Sequence, residues 1–235
     1  MVKLIQLEFK RNHLKSYFYG SFGIFLFTLC IGTLFSAIPK IEQGTLAAQT
    51  FQDTDMLVMM VSVISMSGFA ILGSVMYTKF MIDEYTTKKN ILLFTYPQKR
   101  SSIFMAKFLF IFLFTFMMMF LSNTASILLI GTIGNLTGIM GSYYESIKMI
   151  VFTSVIFGFV ANFISIISLK IGFLKKSMVA TIITTIVLIA PVGNSIILLK
   201  NNFINIIIPL LVILIFINIM LVFGLIKKIN GMECL

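Results

Sequence analysis

Residues 104–130 read FMAKFLFIFLFTFMMMFLSNTASILLI, and beyond Lys107 no charged side chain interrupts them. At about 1.5 Å per residue a helix over this stretch outspans the roughly 30 Å hydrocarbon core of a bilayer. Lipid offers backbone N–H and C=O groups no partner, so such a run has to be helical. A transmembrane barrel would need shorter segments of alternating polarity, which the chain lacks. Similar runs recur on both sides of it, and membrane segments are expected at about 16–38, 56–79, 104–130, 147–169, 177–199 and 204–226. The expected fold is an all-α integral membrane protein with six transmembrane helices, forming one domain over residues 1–235.

Composition supports this reading: 59% of residues are hydrophobic, 11% are charged, and the mean hydropathy is +1.05. The first run is too long for a signal-peptide core and has no small-residue cleavage site near Ala37, so it reads as an uncleaved anchor. The net charge of +10 is distributed around the apolar runs rather than along one face, which argues against nucleic acid as a partner. Cys30 and Cys234 lie far apart in sequence and suggest neither a disulfide nor a metal framework, and Cys234 is not placed for a prenylation box.

Basic residues near membrane segments are retained in the cytoplasm, so their distribution sets the orientation. With both termini inside, Lys3, Lys10, Arg11, Lys15, Lys79, Lys88, Lys89, Lys99, Arg100, Lys107, Lys170, Lys175, Lys176, Lys227 and Lys228 are cytoplasmic, and only Lys40, Lys148 and Lys200 are outside. The basic excess thus reports topology first and contact with anionic membrane lipids second. At the N-terminus, the apolar positions within Lys3 to Lys15 do not fall on one helical face.

A carboxylate in the membrane interior normally marks an ion path or a catalytic site. None of the eight acids is expected there: Glu8, Asp83, Glu84 and Glu233 fall inside, and Glu42, Asp53, Asp55 and Glu145 outside. His13, the only histidine, precedes the first run. No catalytic, cofactor-binding or metal site is therefore expected on this chain.

Neutral polar groups do reach membrane depth. Ser62, Ser65, Ser67, Asn123, Thr124, Ser126, Asn162 and Ser165 suit interhelical hydrogen bonds, and a second reading lets Ser62, Ser65, Asn123, Asn162 and Pro191 line a substrate path. The small pairs Gly32/Ser36, Ala70/Ser74 and Ser154/Gly158 let helix backbones approach. Pro191 and Gly193 interrupt the fifth run, as a kink or as a break that leaves a re-entrant piece over 191–203. Gly131, Gly134, Gly138 and Gly141, with the sequon Asn135-Leu136-Thr137, read as a flexible outer loop.

The cytoplasmic segment of about 80–103 carries the sharpest signal, DEYTTKKNILLFTYPQKR over 83–100. Ile91 to Phe94 place an apolar cluster in a loop assigned to water, the mark of a docking site or a membrane-surface helix. Thr86 or Thr87 is placed to cap a short helix that Pro97 would help to end. Such a helix, joined to two membrane helices, transmits a partner's movement into the bilayer.

At these residues the chain resembles the ABC-2 type permeases, the membrane subunits of bacterial ABC exporters. Asp83 or Glu84, the threonines Thr86 and Thr87, Leu92 and Leu93, Pro97, Arg100 and then Lys107 follow the order of that family's loop. Tyr85 stands where the family often has Gly, and the family's re-entrant helices before the last span are represented at most by 191–203. In length the chain is more similar to the compact permeases of bacitracin, lantibiotic-immunity and cytolytic-peptide exporters, which are linked to antimicrobial peptide resistance.

The resemblance implies a type V exporter-like permease bundle in the bacterial plasma membrane. It implies an ATPase-docking set of Asp83, Glu84, Thr87, Leu92, Leu93, Phe94, Tyr96, Pro97, Arg100 and Lys107. It also implies a separate ABC ATPase carrying ATP and Mg, and a second permease copy or paralogue in a 2:2 complex. No GxxxxGK[ST] phosphate loop occurs in the sequence. Two other classes fit the composition: a non-transporting immunity or binding protein, and a lipid-modifying membrane enzyme, for which only Asp83 and Glu84 are available.

Overall fold

The computed structural model of the chain describes residues 14–41, 54–86, 100–136, 147–198 and 203–230. Six helices account for nearly all of them: α1 Lys15–Ile41, α2 Thr54–Tyr77, α3 Arg100–Leu136, α4 Ile147–Lys175, α5 Met178–Leu198 and α6 Phe203–Asn230. A π-turn, Thr78–Ile82, and a last turn, Asp83–Thr86, prolong α2. The first five helices are long and apolar enough to cross a membrane, and α6 adds the apolar stretch Leu211–Lys227. Among the described residues there is no strand.

Side-chain contacts give the direction of each helix. Asn123 bonds Ser154 while Thr115 bonds Asn162, so α3 and α4 are antiparallel. Phe18 packs on Phe114 and Gly32 lies against Ile130, so α1 and α3 run the same way. Ser74 meets Thr185 whereas Gly193 faces Val63, so α5 runs opposite to α2. Gly224 lies against Lys170, which brings the end of α6 beside the end of α4. Lys15, Lys79, Lys170, Lys175, Lys176 and Lys227 thereby gather at one end of the bundle, the cytoplasmic one by the distribution of charge.

In the packing order α4 is the most enclosed span, followed by α2 and α3, with α1 and α5 the most open to lipid. Close approach is built from small residues, because helices in lipid associate by packing rather than by escaping water. All three small pairs are buried. A Cβ on Gly32 would come within 2.3 Å of Ile130 Cδ1, and one on Gly172 within 1.8 Å of Thr181 Oγ1. The second approach depends on a tight turn between α4 and α5. Lys176 takes φ 49°, and the Ser177 N–H returns to the Gly172 carbonyl at 3.1 Å. This is a Schellman-type ending with lysine where glycine is usual.

The helices outrun the expected membrane segments. α3 has 37 residues, about 55 Å at 1.5 Å per residue. Gly131, Gly134, Asn135 and Leu136 belong to its last turns rather than to a flexible loop. A regular helix satisfies its own backbone in water as in lipid, so its end need not mark the membrane boundary. α5 runs through Pro191 without a break, and the Ser195 hydroxyl donates to the Pro191 carbonyl at 2.7 Å. Of the two readings of this segment, the continuous helix is the one observed over Met178–Leu198.

Candidate functional site at the cytoplasmic end of α2 and α3

Where the membrane segment of α2 is expected to end, the helix widens instead of stopping. Over Thr78–Ile82 it becomes a π-turn, in which the Asp83 N–H reaches back five residues to the Thr78 carbonyl. The Thr78 hydroxyl donates to the Val75 carbonyl at 2.7 Å. A π-turn inserts one residue more than an α-turn holds, and it persists only where packing holds it. Here Phe80, Met81 and Ile82 are buried in one cluster with Leu14, Phe104, Phe173 and Leu225. The Tyr17 ring meets Phe80 edge-on, with centroids 5.3 Å apart.

Lys107 enters this apolar setting from α3 and is 1% exposed. Its ammonium pairs with the Glu84 carboxylate and donates to the Phe80 carbonyl at 3.4 Å. One cation thus ties the π-turn and the turn after it to α3. An unpaired ammonium would cost several kcal/mol here, so both contacts are conditions of its burial. Glu84 is 17% exposed, so the carboxylate lies toward the surface while the lysine stays inside.

The chain connecting α2 to α3 therefore departs from a fixed base. Asp83 and Glu84 are helical, both half-buried. Thr86 is the last described residue of this helical stretch, where the sequence pattern allowed it to open a new one. Thr87, Leu92, Leu93, Phe94, Tyr96 and Pro97 lie outside the described residues, and Arg100 opens α3. Of the expected docking set, Glu84 and Lys107 are brought into direct contact. Lys107 is engaged within its own chain and holds the base of the connection.

The residues proposed for a substrate path divide in two. Asn123 Nδ2 donates to Ser62 Oγ at 3.0 Å and to Ser154 Oγ at 2.9 Å, joining α3 to α2 and α4. Thr115 donates to Asn162 Oδ1 at 2.6 Å, and Asn162 Nδ2 returns to the Gly158 carbonyl. Ser65 is buried on α2. These four are packed between α2, α3 and α4 in hydrogen-bonded or buried positions, and Pro191 is apart from them on the exposed side of α5.

Two features escape sequence reading. The π-turn leaves no trace in composition or periodicity. The Glu84–Lys107 pair left a faint one, the single charge within residues 104–130 of α3, but the pairing itself spans 23 positions.

A family model described as "ABC-2 family transporter protein" matches residues 4–193. A Bacillus subtilis (strain 168) protein, YcbO, described as uncharacterized, is 26% identical over 202 residues, covering 83% of this chain and 84% of its own length. No solved structure matches the chain.

Proposed function

Since the chain belongs to the ABC-2 family of transporter membrane proteins, we propose that it is the permease subunit of an ATP-driven exporter whose ATPase is a separate chain. It is a multi-pass protein of the bacterial plasma membrane and a transporter component rather than an enzyme. On this reading an ABC ATPase carrying ATP and Mg docks on the segment between α2 and α3, where Leu92, Leu93, Phe94 and Tyr96 supply apolar contacts. Two permeases pair with two ATPases, as identical or related copies. The cargo is an amphiphile moved outward, such as an antimicrobial peptide, a lipid or a drug.

The observation that carries the reading is the base of that segment. The acid and the lysine of the family-like motif, Glu84 and Lys107, clamp the π-turn of α2 to α3. A push on residues 87–99 is then delivered to two membrane helices at once, which is what mechanical coupling requires. The missing phosphate loop supports a separate energy source.

The test is co-purification of an ABC ATPase with the tagged chain, with ATP hydrolysis by the isolated complex. Leu92→Asp combined with Leu93→Asp is expected to abolish it while membrane insertion persists. Undiminished binding of the ATPase by that inserted variant would remove this segment from the docking role.

A further inference from the structure

On α1, Lys15, Phe18, Phe22 and Phe25 recur at helical spacing along one stripe. Phe18, Ser21, Phe22 and Phe25 face Met118, Leu121 and Ser122 of α3 across a groove of about 300 Å³. No charged residue lines it. The Ser21 hydroxyl is bonded to the Phe18 carbonyl of its own helix at 2.8 Å, so it offers the groove little polarity. Phe18, Phe22 and Leu121 are all exposed, so among the described residues nothing closes the groove on the side toward lipid.

Depth and charge narrow the choice of occupant. Lys15 is exposed one turn below Phe18, at the cytoplasmic end, and Tyr19 beside it is 75% exposed. A lysine and a tyrosine together mark the headgroup level. From Lys15 to Phe25 the helix rises about 15 Å, which is half of the roughly 30 Å hydrocarbon core. The groove's lining begins at Phe18, one turn above that cation, and the rise from Lys15 to Phe25 matches the thickness of one leaflet.

We infer that this groove is a binding site for an anionic phospholipid of the inner leaflet, with one acyl chain between α1 and α3 and the headgroup phosphate on Lys15. The inference goes beyond the transport reading and does not need the ATPase. One lysine at a membrane surface favours an anionic over a neutral headgroup by about fivefold. Hydrocarbon gives the buried Ser122 hydroxyl, which has no hydrogen-bond partner among the described residues, nothing to bond, so that hydroxyl should not matter for binding.

The chain has no Trp, so Phe22→Trp places a single fluorophore in the groove. In vesicles, brominated-chain phosphatidylglycerol is expected to quench it with about fivefold higher relative affinity than brominated phosphatidylcholine. Lys15→Gln should bring that ratio close to one, and Ser122→Ala should leave it unchanged. Phe216→Trp, 66% exposed on α6, is the comparison site and should be quenched alike by both lipids. Phe18→Trp reports from the same groove if Phe22→Trp does not fold. Equal quenching by the two lipids at the groove, or a preference that survives Lys15→Gln, overturns the inference. Loss of the preference in Ser122→Ala also overturns it, because the ligand would then carry a polar atom at mid-depth. A groove fluorophore that no lipid quenches, beside a quenched Phe216→Trp, overturns it in favour of a protein surface covering the groove.

Discussion

In the middle of the bundle, Asn123, Ser62, Ser154, Thr115 and Asn162 are uncharged and bond to one another across α2, α3 and α4. At the cytoplasmic end a full charge, Lys107, is buried and paired with Glu84. Neutral amides and hydroxyls have alternatives, since a serine or threonine can bond a carbonyl one turn back in its own helix. Ser154 already reaches the Ile150 carbonyl at 2.8 Å. A buried ammonium has no such alternative and depends on its given partners. The middle is thus held by neutral contacts that have local substitutes, and the inner end by a buried charge that depends on polar partners, the Glu84 carboxylate and the Phe80 carbonyl among them.

The inner end is the region most sensitive to substitution. Glu84→Gln removes a carboxylate from the buried ammonium and should cost about 3 to 5 kcal/mol of stability. Thermal unfolding in detergent reads this directly. Lys107→Met should cost less, because the Glu84 carboxylate left behind reaches water, and the two changes together should recover part of the loss. Equal losses from both single variants would mean that the site is not graded from inside to surface.

Gly172→Ala comes next, because the new methyl would meet Thr181 Oγ1 and Ile82 Cδ1. Overpacking of this kind costs about 1 to 3 kcal/mol. The change should separate α5 and the π-turn from α4, seen as faster amide exchange over 78–82 than in the parent. In the middle, Asn123→Ala removes the amide that joins Ser62 and Ser154. Its cost should be smaller, about 0.6 to 1.7 kcal/mol by the same melt. A loss as large as that of Glu84→Gln would erase the distinction between the two regions.

The smallest effect has the opposite sign. Lys176 adopts φ 49°, which costs an L-residue about 1 to 2 kcal/mol. Lys176→Gly relieves that strain but gives the unfolded chain more freedom, so a net gain of less than about 1 kcal/mol is expected. A lower melting temperature would show that the lysine side chain contributes more than its backbone costs.

Charge-free runs of membrane length leave a chain no alternative to helices, so the six long helices among the described residues and their alternating directions were legible from residue order alone. The small pairs were equally legible as packing sites, because only small side chains admit a neighbouring backbone. The motif around Asp83 to Lys107 contains both members of the ion pair that joins α2 to α3. Periodicity assumes a constant number of residues per turn, so the widening of α2 at Thr78–Ile82 came only from the fold, which also decided between the two readings of Pro191 in favour of a continuous α5. The partner of Lys107 was likewise decided in three dimensions. Which carboxylate meets a buried cation depends on how two helix ends are brought side by side, and residue order does not encode that distance.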